Sequence, residues 1–98
     1  MAYRIEYSPE AAEHLRVLPT HQRRRVLDAV DEQLSHRPLV ETRHRKPMRP
    51  NPVAPWELRI GDLRIYYVAE AAEQLVLIRA IGVKRHNRLW IGGEEVQL

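Results

Sequence analysis

At 98 residues, with 44% hydrophobic and 30% charged side chains, the sequence has the size and composition of one folded domain over residues 1–98, not of a disordered chain. It contains no cysteine, which excludes disulfide frameworks and thiolate zinc sites and makes a reducing cytoplasm the expected compartment; its five histidines, His14, His21, His36, His44 and His86, lack the paired spacing of a metal site. Net charge is only +3, no apolar run approaches the roughly 18 residues of a membrane span, and charges interrupt "MAYRIEYSPEAAEHL", so neither a membrane role nor a secretory signal is expected.

The alternating, β-rich "AYRIEY" predicts a strand over residues 2–7. Ser8-Pro9-Glu10 then has the composition of a helix start, with Ser8 as N-cap, Pro9 at the first helical position and an acid in the first turn. Ala11, Leu15 and Leu18 form the inner stripe of that helix, which Pro19 ends. A second helix is expected over residues 20–36, with Val26, Leu27, Val30 and Leu34 at helical spacing and Arg23, Arg24, Asp28, Asp31 and Glu32 outside. The tight connection predicts an antiparallel helical hairpin.

Residues 37–55 hold five of the seven prolines and show little periodicity, so a long loop is expected. Strands follow over residues 56–60, 63–69 and 75–81, and "LWIGGEEV" suits a final small hairpin or extended arm. This order predicts an α+β fold: an N-terminal strand and a helical hairpin packed on one face of a mostly antiparallel sheet of four to five strands.

Gly61-Asp62, as a two-residue type II′ loop, fixes the pairing within "WELRIGDLRIYYV". Trp56 then faces Tyr67, Leu58 faces Ile65 and Ile60 faces Leu63 on an apolar side that can cover the helices. On the other side Glu57 faces Tyr66 and Arg59 faces Arg64. Like charges opposite one another destabilise a strand pair, so the two guanidiniums imply an anion between them. Strand arginines also lie flat and pair with nearby acids, and Glu57, diagonal to Arg64, can neutralise it and leave Arg59 to water.

Residues 1–36 carry a net charge of −1 and residues 37–98 a net of +4. The excess lies in two acid-free clusters, "RHRKPMR" (Arg43, Arg45, Lys46, Arg49) and "KRHNR" (Lys84, Arg85, His86, Arg88). Both are expected near the polar face of the sheet. A polyanion such as RNA or DNA is the ligand class this implies, ahead of a lipid surface, because no amphipathic anchor accompanies the basic runs.

"YRIEYSPEAAEHLRVLP", "WELRIGDLRIYYV" and "LIRAIGVKRHNRLW" together resemble the RelE/ParE superfamily of bacterial type II toxins over nearly the whole chain. The resemblance implies a toxin held inactive by a cognate antitoxin, which also mediates any contact with operator DNA. RelE-like members are ribosome-dependent endoribonucleases that cut mRNA by attack of its own 2′-hydroxyl, without metal or cofactor; ParE-like members poison DNA gyrase by protein contact, and a weakly toxic antitoxin-binding member is a third form. By resemblance, Arg64 is the strand arginine that contacts the scissile phosphate, Arg59 a basic position on the preceding strand, and Lys84 or Arg85 the basic residue after the last core strand. Lys46 or Arg49 matches a basic loop residue, and Arg43, Arg45 and Arg88 extend the RNA-binding surface. Glu57 stands where RelE has a lysine, and Trp90 where RelE has its C-terminal tyrosine; Trp90 can stack a base but its indole cannot transfer a proton. Some relatives use a glutamate and a histidine for acid/base work, so the resemblance implies Glu57 and His86 as the acid/base candidates.

Overall fold

The computed structural model describes residues 2–98. Strand β1 spans Arg4–Tyr7, and helix α1 spans Pro9–Arg16. Ser8 caps α1 as expected: its backbone is extended and its Oγ accepts the N–H of Ala11 at 3.0 Å, which satisfies a donor that the first helical turn cannot. Helix α1 ends two residues before the expected Leu18, and Arg23 of the next helix donates to the Leu18 carbonyl at 3.1 Å. Helix α2 runs Thr20–Leu34, with Val26, Ala29, Val30 and Leu34 buried.

Among the described residues the sheet has seven strands, more than the four to five expected. Strand β2 (Arg45–Pro47) lies inside the proline-rich segment read from sequence as loop, where three residues are too few to show periodicity. Strands β3 (Trp56–Ile60) and β4 (Leu63–Glu70) form the expected hairpin in the expected register, including Trp56 opposite Tyr67, Glu57 opposite Tyr66 and Arg59 opposite Arg64. Gly61 takes φ +56°, the left-handed backbone that the turn requires. Strand β5 (Leu75–Arg85) runs four residues past the expected Ile81, and so absorbs Lys84 and Arg85. Strands β6 (Arg88–Ile91) and β7 (Glu94–Val96) form the tail hairpin. The order is β2-β3-β4-β5-β6-β7, all antiparallel, with β1 parallel to the first half of β5.

The helices cover one face. Leu58, Ile65, Tyr67, Val76, Ile78 and Ile81 pack there with α2, and Trp56 stacks on Tyr67 with ring centroids 6.1 Å apart. The buried Tyr67 hydroxyl donates to the Pro38 carbonyl at 2.6 Å, which ties the start of the long connection to the core. The opposite face carries a smaller cluster of Ala54, Tyr66 and Ala80 with Met48, Val53, Leu89 and Ile91 against it.

One edge of β5 is bonded in sections. β1 pairs with it as far as Ile78, and β6 pairs with it from Gly82. Between them, the Ser8 hydroxyl donates to the Arg79 carbonyl at 3.2 Å, and the Ile81 N–H donates to His14 Nδ1 at 3.2 Å. Helix α1 thus satisfies the backbone groups that no strand reaches. Among the described residues, no helix is long and apolar enough to cross a membrane.

Candidate functional site

The face of the sheet away from the helices opens into a cleft of about 950 Å³. Its cationic walls are Lys46 from β2, Arg49 from the proline-rich turn, Arg59 from β3, Lys84 from β5 and Arg88 from β6, against two carboxylates, Glu57 and Glu95. Five cations facing two acids leave the cleft positive, and a concave positive wall concentrates anions.

The floor is ordered by Glu57, which is buried and accepts Arg59 Nε on Oε1 at 2.5 Å. Both residues lie on β3 and, two positions apart, on the same face. Arg59 thus has its own carboxylate and Arg64 is held at the turn, which corrects the expected pair of guanidiniums facing a common anion. Glu57 pairs with Arg59 and not, as in the alternative reading, with Arg64. Tyr66 sits opposite Glu57 and is almost fully buried; burial first, and then the neighbouring carboxylate, push its phenol well above the ordinary range. Tyr66 therefore stays neutral. The other ion pairs in the cleft are long and exposed, Lys46 with Glu41 at 3.8 Å and Arg88 with Glu95 at 3.7 Å, so both cations remain available to a ligand.

The expected site residues separate into those the fold gathers and those it does not. Arg59, Glu57, Lys46, Arg49, Lys84 and Arg88 line the cleft. Arg64 does not: its Nη1 donates to the carbonyls of Gly61 at 2.8 Å and Leu63 at 2.9 Å, which holds the guanidinium at the β3–β4 turn. Arg45 is a correction. Its Nε donates to the Val40 carbonyl at 2.9 Å, and its Nη1 to the Gln33 carbonyl at 2.7 Å and Gln33 Oε1 at 3.0 Å, so it pins the connection to α2 from a buried position. Arg43 is exposed beside His44 and lies outside the cleft lining.

Lys84 and Arg85 point to opposite faces. Arg85 joins Trp90 in an apolar groove of about 430 Å³ that includes His14, Val17 and Leu18, on the helical side. Trp90 is opposite Val83 in the β5–β6 register, and this corrects its expected place beside the RNA; Leu89 and Ile91, its neighbours on β6, are the residues that turn to the cleft side. His86 and Asn87 form the two-residue loop between β5 and β6, with φ of 52° and 65°. His86 borders a shallow hollow with Arg85, Arg88 and Trp90, and lies outside the cleft lining.

Sequence reasoning did not place Asn51, which holds the proline-rich wall. Its Oδ1 accepts from Val53 N at 2.8 Å and Ala54 N at 3.1 Å, and its Nδ2 donates to the carbonyls of Arg49 at 2.7 Å and Ala54 at 2.9 Å. The signal was an asparagine between two prolines, a composition that favours side-chain-closed turns. Among the described residues, no three His, Asp or Glu side chains converge in a way that would hold a metal ion.

The sequence matches no known family profile and no curated protein. The fold, however, is shared with solved structures. A chain in the crystal structure of the toxin–antitoxin complex RelBE2 from Mycobacterium tuberculosis superposes with a TM-score of 0.74 at 24% identity, over 86% of this chain and 100% of that one. A chain in the archaeal RelE–RelB complex from Pyrococcus horikoshii OT3 superposes with a TM-score of 0.63 at 22% identity, over 80% of this chain and 90% of that one. The two helices on a many-stranded sheet are therefore a RelE-like α+β fold.

Proposed function

We propose that this protein is the toxin component of a type II toxin–antitoxin system, acting in the cytoplasm as a ribosome-dependent endoribonuclease and held inactive by a cognate antitoxin. The fold shared with chains from two toxin–antitoxin complexes supports the class. The observation that carries the activity is the cleft in which Lys46, Arg49, Arg59 and Lys84 converge on the buried Glu57.

The chemistry asks for three things. A group must take the proton of the attacking 2′-hydroxyl, cations must neutralise the phosphorane, and the departing 5′-oxygen must receive a proton. Arg59 suits the second role, because Glu57 fixes its Nε edge and leaves the Nη edge to grip phosphate oxygens. Lys46 and Lys84 add charge from the flanking strands, where electrostatic stabilisation of a developing anion is worth most in a site partly closed to water. Glu57 acts as general base, since it is the carboxylate at the cleft floor and its geometry is locked by Arg59. The departing 5′-oxygen takes its proton from solvent, to which Glu57 returns the one it removed. Arg64 extends the cationic surface towards the turn. Its Nη1 is committed to the Gly61 and Leu63 carbonyls, which holds the guanidinium at the turn and outside the cleft lining.

One observation favours the alternative of a gyrase-binding toxin. Trp90, 37% exposed, stands with the 57%-exposed Val17 along an apolar groove instead of in the cleft, which suits a protein contact. Induction in cells separates the two readings. Primer extension is expected to show new ends inside translated messages, lost when ribosomes are kept off the message and absent with Glu57→Gln. Intact messages together with early DNA-damage signalling would overturn the nuclease reading in favour of gyrase.

A further inference from the structure

Strand β5 holds one residue more than β4 can match. The register passes from Tyr67–Ile78 to Tyr66–Ala80, so Arg79 is the extra residue of a β-bulge. A bulge re-aims the side chains next to it. Here Ala80 packs with Tyr66 and Ala54 in the cluster on the cleft face, while the exposed Arg79 borders a second cavity of about 410 Å³. The proline-rich turn, with Arg49, forms the rest of that cavity.

Met48, Arg49, Pro50 and Asn51 line both cavities, so the second lies against the main cleft across the proline-rich wall. Neither Arg49 nor Arg79 takes part in any of the ion pairs among the described residues. The wall between them is stiffened by the hydrogen bonds of Asn51 to Arg49, Val53 and Ala54. Among the described residues, no aromatic ring borders the second cavity, so it offers charge and proline faces but nothing on which a base can stack.

We infer that Arg79 and Arg49 form a second phosphate subsite, which holds the backbone of a single-stranded RNA beyond the phosphate seated at Arg59 and Lys84. The inference rests on the nuclease reading and adds to it: the RNA is gripped at two places along one cationic track, and the outer grip is indifferent to sequence.

The test is fluorescence anisotropy with two single-stranded RNA probes, one of about three nucleotides and one of about ten, each in several base sequences, with salt varied. The protein variants are wild type, Arg79→Ala, and Arg24→Ala as a control for the loss of one surface charge from the helical side. Arg79→Ala is expected to weaken binding of the long probe by about fivefold at 0.1 M salt relative to 1 M, since one lost phosphate contact to a single strand flattens the salt slope by roughly 0.7. The loss should be the same for every sequence, and binding of the short probe should not change. Equal effects of Arg79→Ala and Arg24→Ala on the long probe, with wild-type binding intact, would overturn the subsite and leave the cleft reading standing. A wild type that binds neither probe would overturn the subsite, while the nuclease reading is decided separately by primer extension in induced cells.

Discussion

Arg59 and Glu57 are joined by a 2.5 Å hydrogen bond from Nε to Oε1 along one face of a single strand, so the carboxylate proposed as general base is the one that orients the cleft's central cation. Orientation and proton transfer can be separated by mutation. Glu57→Gln keeps an acceptor for Arg59 but removes the base. Single-turnover cleavage should fall about 10²–10⁴-fold while RNA affinity holds or rises. A variant that cleaves at the wild-type rate would leave Glu57 with orientation alone.

Arg59→Ala removes the guanidinium that Glu57 aims and should cost about 10²–10³ in cleavage rate. Arg64→Ala should cost less, because Arg64 lies outside the cleft lining and its Nη1 is anchored to two carbonyls at the turn. Rates measured on both variants check the ranking. The reverse order would put the scissile phosphate on the turn side of the sheet.

Lys84→Ala and Arg85→Ala delete adjacent cations on opposite faces. Only the first should flatten the salt dependence of RNA binding, by roughly 0.7 in log–log slope. Equal slopes for the two variants would mean that the strand alternation does not govern access to the ligand.

Arg45→Ala tests a structural role. It leaves the Val40 and Gln33 carbonyls without their charged donor, and urea denaturation should show a loss of roughly 2–4 kcal/mol. The folded fraction should bind RNA as before. Wild-type stability with weakened RNA binding would return Arg45 to the binding surface.

His14 gives the fold a pH dependence. Its Nδ1 must be unprotonated to accept the Ile81 N–H, and burial, opposed by Glu10 and Glu13, holds its pKa below the ordinary value. The folded state therefore prefers the neutral imidazole. The stabilisation is fully present above the unfolded pKa of about 6.5 and is lost as pH falls from there towards the lower folded value. His14→Gln keeps an acceptor without a titrating group, so its stability should vary less than wild type across that window. Parallel curves in urea titrations at several pH values would exclude this linkage.

Much of this was legible because strand alternation is a local property. Leu58, Ile65, Trp56 and Tyr67 fall on one side and Glu57, Tyr66, Arg59 and Arg64 on the other once a two-residue turn at Gly61 fixes the register. Arg45 was not legible. A cation inside a basic run reads as surface, and its burial depends on a three-residue strand pairing with β3 and on carbonyls from α2. Trp90 was misplaced for a related reason: its direction follows from pairing with Val83, across a loop that the sequence shows only as basic.

By itself the sequence determined the helical hairpin, the β3–β4 register and the presence of a cationic face, all consequences of caps, periodicity and turn residues that act between near neighbours. The tertiary structure decided which cations meet. Unbroken alternation from the buried Val76 and Ile78 would send Lys84 towards the helices and Arg85 to the cleft; the bulge at Arg79 inserts one residue and reverses that choice. A bulge arises from how two distant strands match in length, and no local pattern in β5 encodes it.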